Sequence, residues 1–114
     1  MTAGFIIGGS TAKTVLIRAI GPGLATVGVP SGYLADPQLT LYDGNSVVIT
    51  TNNDWGGDQT FTAAALRAGS FAIADTASKD AMILITLAPA KYTATASAVA
   101  GTSGLAIVEV YEVP

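Results

Sequence analysis

Apolar and polar residues alternate with a period of two along much of this chain, and short Gly/Pro clusters cut the alternation into strand-sized lengths. Lys13 to Ile20 sets Val15, Ile17 and Ala19 on one face and Thr14, Leu16, Arg18 and Ile20 on the other. With both faces largely apolar, the pattern predicts a central strand. Tyr92 to Ala98 alternates Tyr92, Ala94, Ala96 and Ala98 with Thr93, Thr95 and Ser97. That predicts a half-buried strand, alanines inward and hydroxyls outward. Phe5-Ile6-Ile7 predicts a first strand closed by Gly8-Gly9-Ser10, and the nearly all-apolar Ala81-Leu87 predicts a second central strand. Leu105-Val113 closes the chain after a turn at Gly101-Thr102-Ser103-Gly104. Gly21-Pro22-Gly23 ends the Lys13 strand abruptly, because proline lacks an amide donor and glycine supplies unusual dihedrals.

Between these runs lie a hairpin and a helix. Leu39-Asp43, a turn at Gly44-Asn45, and Val47-Thr51 form the hairpin. Asp43-Gly44 is a strong turn signal because such turns need positive φ. Asp58 to Ala68 is the one helical segment, with Asp58 or Thr60 as its cap, a run of alanines inside it and Gly69 as its stop. Leu24-Val27 fits a single helical turn, followed by an irregular connection up to Pro37. Phe71-Ile73 reads as a short strand and Asp75-Asp80 as a polar turn. Seven or eight short strands with one short helix predict an all-β fold, a two-sheet antiparallel β-sandwich of jelly-roll or Greek-key type. At 114 residues the chain is expected to form one domain, 1–114.

Composition changes the picture by making the surface quiet. Only 11% of residues are charged, against about 25% in ordinary soluble proteins, and the mean hydropathy is +0.52. No apolar run approaches the ~20 residues of a membrane-spanning helix, so membrane insertion is not expected. Such a composition suits a rigid, flat surface partly covered by copies of the chain or by neighbouring domains. The net charge is -3, and the five basic residues, Lys13, Arg18, Arg67, Lys79 and Lys91, are scattered. Nucleic-acid binding needs a basic stripe facing phosphates, and none is present. Cysteine and histidine are absent, which removes disulfides, thiolate chemistry and the commonest general base at neutral pH. Met1-Thr2-Ala3-Gly4 lacks the basic and apolar segments of a signal peptide. The chain is therefore either cytosolic or an excised or mature domain that carries an added start methionine, and the composition favours the second, an extracellular or cell-surface domain.

Few residues offer chemistry. Asp43, Asn45, Asn52, Asn53, Asp54 and Asp58 bring side-chain oxygens together over a glycine-rich stretch. Calcium takes six to eight oxygen ligands in a flexible loop, so Asp43, Asn52, Asp54 and Asp58 form a candidate Ca2+ set. The spacing is not that of an EF-hand, and the same residues also serve as turn and helix caps. Trp55 is the only tryptophan. Exposed, its indole would stack on a sugar while Asn53 and Asp54 bind hydroxyls; folded back, it would cover the open end of the core. Gly8 to Thr14 lacks the spacing of a phosphate loop. Glu109 and Glu112 differ by an odd number of positions and so face opposite sheet surfaces, which argues against a hydrolytic carboxylate pair. Glu109 is instead a partner for Arg18 or Lys13 across the sheet, or marks the point where that face becomes exposed. Catalysis is not expected.

Five segments carry a family resemblance: Leu16-Ile17-Arg18-Ala19-Ile20-Gly21-Pro22, Leu34-Ala35-Asp36-Pro37-Gln38-Leu39-Thr40-Leu41-Tyr42-Asp43-Gly44, Thr51-Asn52-Asn53-Asp54-Trp55-Gly56-Gly57, Ser78-Lys79-Asp80-Ala81 and Gly104-Leu105-Ala106-Ile107-Val108-Glu109-Val110-Tyr111. In this order they resemble a domain that is repeated in, or ends, large secreted proteins of environmental bacteria. A looser similarity, through Asp36-Pro37 to Asp43-Gly44, Asn52-Asn53-Asp54 and Ala90-Lys91-Tyr92-Thr93, is to bacterial pre-peptidase C-terminal domains. Those are secreted jelly-roll sandwiches, some of which use acidic loops for calcium. The chain departs from them at Trp55-Gly56-Gly57 and at the predicted helix.

The expectation is therefore a non-catalytic extracellular structural or adhesive module that associates with sister domains or with itself. Phe5-Ile6-Ile7 is the candidate assembly strand, since a short apolar strand can add to a sheet edge in its own subunit or in a neighbour. The alternative is a polysaccharide-binding module with Asn53, Asp54 and Trp55 at its loop end and Ca2+ ordering the loop.

Overall fold

The computed structural model describes residues 1–99 and 101–114. Seven strands are present among them: β1 (Thr2–Ile7), β2 (Lys13–Ile20), β3 (Pro37–Asp43), β4 (Val48–Asn52), β5 (Ala81–Leu87), β6 (Ala90–Ala98) and β7 (Ile107–Glu112). One α-helix, α1 (Gln59–Ala68), joins β4 to β5, and a 3₁₀ helix covers Pro22–Val27. The strands form two wholly antiparallel sheets, ordered β1-β6-β3-β4 and β5-β2-β7. The all-β sandwich with one short helix is thus the fold of the chain. No helix among the described residues is long and apolar enough to cross a membrane.

The topology is more specific than the sequence implied. Among the described strands every link between consecutive ones crosses from one sheet to the other, except the β3–β4 hairpin. Taking β1 to β7 as the second to eighth strands of an eight-stranded jelly roll reproduces the order of both sheets. The position left over is that of the first strand, beside β7. Accordingly β7 pairs with β2 on one side only, and its residues Ile107 to Tyr111 are all half-buried, whichever face they point to.

The sandwich interior follows from the period-two pattern. Val15, Ile17 and Ala19 of β2 meet Leu39 and Leu41 of β3, Ile83 of β5, and Tyr92, Ala94 and Ala96 of β6. Phe5 stacks on Tyr92, ring centres 5.6 Å apart. The other face of the three-stranded sheet is also covered. Leu16 and Met82 pack under Trp55 and the Ala64-Ala65 face of α1, with Phe61 and Ile73 alongside. Alanines there let the helix lie close to the sheet. Asp58 caps α1, accepting from the Thr60 amide at 2.9 Å, and Gly69 ends it at φ 76°. The Thr60 backbone and side-chain hydrogen bonds hold the Asp58 carboxyl below its ordinary range.

Several expectations are corrected here. Ala81-Leu87 is an edge strand, not a central one; it is apolar on both faces because the core covers one and α1 the other. Phe71-Ile73 joins no ladder, since the Phe71 carbonyl accepts from Arg18 instead of a strand. In the hairpin the positive φ falls on Ser46 (63°), not at Gly44. Asp43 Oδ1 accepts from the amides of Asn45 (2.8 Å) and Val47 (3.0 Å), which leaves Ser46 to reverse the chain. Asp80 is no turn residue; it is completely buried.

Candidate functional site

Two polar groups are buried on the outer, helix-covered side of the three-stranded sheet. Arg18 lies at the middle of β2 with its side chain wholly buried. Its Nε donates to Glu109 Oε1 at 2.9 Å, and Nη1 donates to the Phe71 carbonyl at 2.7 Å. The Arg18 guanidinium lies 4.4 Å from the Phe71 ring centre and 5.7 Å from that of Tyr111, both within cation–π range. Tyr111 in turn donates to Glu109 Oε2 at 2.7 Å. Burial, then the Glu109 carboxylate, push the Tyr111 hydroxyl above its ordinary pKa. The register that pairs Arg18 with Glu109 makes this cluster, and Glu109 chooses Arg18 over Lys13. Lys13 pairs instead with Glu112 at 3.2 Å on the rim.

Asp80 holds the second group. Its Oδ1 accepts from Gly21 N (2.8 Å), and both its oxygens accept from Gly23 N (3.1 and 3.0 Å). Ser78 Oγ donates to Oδ2 at 2.9 Å and itself accepts from Trp55 Nε1 at 3.0 Å. A Cβ on Gly21 would stand 1.9 Å from the Leu34 carbonyl oxygen, so only glycine fits this approach. The carboxylate therefore fixes the Gly21-Pro22-Gly23 bend and, through Ser78, the tryptophan. It serves as an anchor, with its lone pairs already occupied.

The residues singled out from sequence are placed as follows. Trp55 is 3% exposed; its indole lies against the three-stranded sheet, so the stacking platform for a sugar is corrected to a packing role. The ring covers the sheet's outer face rather than the end of the core. Asn53 donates through its amide to Asp36 Oδ1 (2.9 Å) and the Pro37 carbonyl (3.3 Å), which pins the loop to the start of β3. Of the candidate Ca2+ set, Asp43 closes the hairpin, Asn52 accepts from the Met82 amide at 3.0 Å, and Asp58 caps α1. Asp54 is exposed beside them. Among the described residues no three acidic, cysteine or histidine side chains gather as a metal site.

The candidate assembly strand Phe5, Ile6 and Ile7 belongs to β1, which completes its own sheet against β6. Phe5 and Ile7 turn inward, while Ile6 is 69% exposed. The seam between β1 and the unpaired edge of β7 is a groove of about 370 Å³ lined by Phe5, Ile7, Val15 and Val110, with Lys13 and Glu112 at its rim. The outer face of the four-stranded sheet is nearly free of charge. Thr2, Thr95, Thr40 and Thr51 form one rank across all four strands, and the outward positions carry a single charge, Lys91.

Sequence reading missed Asp80, Phe71 and Ser78 as organising residues. The usable signal was a lone arginine inside the apolar stretch Val15 to Ile20, which must find a buried partner. No protein-family model matches the chain, and neither a curated protein nor a solved structure is detectably similar to it.

Proposed function

We propose that this domain is a non-catalytic module of an extracellular or cell-surface protein that joins sister domains or copies of itself, and that the β1/β7 side of the sandwich receives the partner. The observation that supports this reading is the strand order: a jelly roll in which the place beside β7 is open. An incoming extended segment would gain backbone hydrogen bonds along β7 and bury the half-exposed Val108 and Val110. The scarcity of charge on the outer face of the four-stranded sheet and the resemblance to repeated domains of secreted proteins favour the same account.

The hydrogen-bond phase of β7 supplies the test. Val113 N donates to Thr14 O, and Thr14 is in register with that residue by extension of the β2–β7 ladder. Alternation then directs the amides of Val108, Val110 and Glu112 to the open edge. Val110→Pro removes one of these outward donors and leaves the bonds to β2 in place. Light scattering across protein concentration is expected to show association that Val110→Pro abolishes while circular dichroism is unchanged. A chain that stays an 11.4 kDa monomer at the highest soluble concentration overturns self-association, and association untouched by the proline overturns the β7 edge as its site.

A further inference from the structure

The open place beside β7 has a floor as well as an edge. β7 packs across β6 and β1, and β1 is the last strand of its sheet on that side. Phe5 and Ile7 of β1 therefore face the groove together with Val15 and Val110. Among the described residues no strand pairs with the outward amides of Val108, Val110 and Glu112. At the rim Lys13 and Glu112 pair with each other, so the groove asks no charge of what fills it.

These features specify the occupant. A row of free amides and carbonyls above an apolar floor fits an extended backbone. Every ladder in both sheets is antiparallel, and the same sense beside β7 continues the pattern. Side chains of such a segment alternate, apolar toward Phe5, Ile7 and Val110 and polar toward the outer face.

The position of Met1 shows the route by which the segment arrives. Met1 extends the β1–β6 ladder: the Ala96 amide donates to its carbonyl at 2.8 Å, and its amino group donates to the Ala96 carbonyl at 3.1 Å. It also shares a groove with Leu105 and Ala106, which lead into β7. A strand antiparallel to β7 ends beside Ile107, and so beside Met1 on the facing sheet. Sheets about 10 Å apart are bridged by about four residues at ~3.3 Å each. That crossing is of the kind that links most consecutive strands here, whereas the β3–β4 hairpin is the exception.

The geometry points to an extended segment joined directly ahead of Met1 as the occupant of the place beside β7, the link by which a preceding sister domain enters this one. This rests on the reading of the chain as a module joined to sister domains, and it names the partner as a covalently attached strand. Seated there, the segment completes the β5-β2-β7 sheet and ties the link to the domain it enters.

The test uses the whole chain with an extension ahead of Met1: an alternating Thr/Val strand of about six residues, then about four Gly/Ser residues. A Gly/Ser extension of equal length is the control. At low concentration the Thr/Val extension is expected to slow hydrogen exchange of Val108, Val110 and Glu112 at least tenfold relative to the bare chain. Glu109 and Tyr111 should change little, and the Gly/Ser extension should protect none of the outward amides. At high concentration the Thr/Val-extended chain is expected to stay monomeric where the bare chain associates. Lack of protection in the Thr/Val-extended chain overturns the proposal. If a free Thr/Val peptide or a raised concentration of the bare chain then protects the same amides, the edge still receives a strand and only the upstream origin falls. If neither does, the reading of β7 as a docking edge falls with it. The same strand carried after Pro114 tests the rival route, and equal or greater protection from that side overturns the upstream origin.

Discussion

Arg18 shows how much one side chain organises in this protein. A guanidinium placed mid-strand and covered by a helix layer must be paired, because isolated buried charge is strongly unfavourable. Glu109, the Phe71 carbonyl and two aromatic rings together meet that demand. Removing one partner leaves the other charge uncompensated, a loss of roughly 3–5 kcal/mol, whereas replacing both with apolar groups is often close to neutral. Arg18→Met is therefore expected to lower unfolding stability by about 3 kcal/mol or more, and Arg18→Met with Glu109→Leu to recover most of it, as read by urea denaturation. A double variant as unstable as the single one would refute the pairing account. Tyr111 adds a pH signature. Its folded pKa lies above the ordinary value of 10.0, so its contribution is fully present below pH 10 and is lost as pH rises through the folded value. Tyr111→Phe should flatten the stability profile on the alkaline side, above about pH 10, and leave the neutral range without a pH-dependent change.

At the scale of elements, the hairpin and the helix show local chemistry fixing geometry. The turn after β3 is built by Asp43, whose carboxylate accepts two amides, and by a left-handed Ser46. A non-glycine residue in that region costs roughly 1–2 kcal/mol, and glycine's greater unfolded entropy cancels roughly half of the gain from replacing it. Ser46→Gly is expected to stabilise the domain by about 0.5 kcal/mol in urea titration. Destabilisation would mean that the serine makes a contact outweighing its backbone strain. The helix was legible from its cap, its alanines and its glycine stop, because all three are local. What it packs against was not legible, since an alanine face fits any close neighbour.

For the whole molecule, the arrangement of edges carries the functional argument. Each sheet ends in strands with free backbone groups, and on β7 the inward-facing side chains, Val108 and Val110, are half-exposed. Amides directed to β2 and amides directed outward should therefore exchange differently. In the isolated domain at low concentration, Val108, Val110 and Glu112 are expected to exchange at least tenfold faster than their neighbours Glu109 and Tyr111 in hydrogen-exchange measurements. Protection of the outward set that grows with protein concentration would place the partner on this edge; uniform protection along β7 at every concentration would mean that the edge is already covered.

The sequence by itself determined the strands of the sandwich, the facing of β2 and β6, the hairpin and the capped helix, because alternation, caps and turn residues act over a few neighbours. It also left Glu109 with two possible partners, Arg18 and Lys13. Tertiary structure made that choice through the β2–β7 register, and it decided everything set by which surface meets which. Trp55 became packing because α1 folds over the outer face of the three-stranded sheet. Ala81–Leu87 became an edge covered on both faces, for the same reason. Asp80 became a buried anchor because two glycine amides distant in sequence converge on it. The open position beside β7 is likewise a property of strand order, which arises only when segments far apart in the chain pair, and no local pattern encodes it.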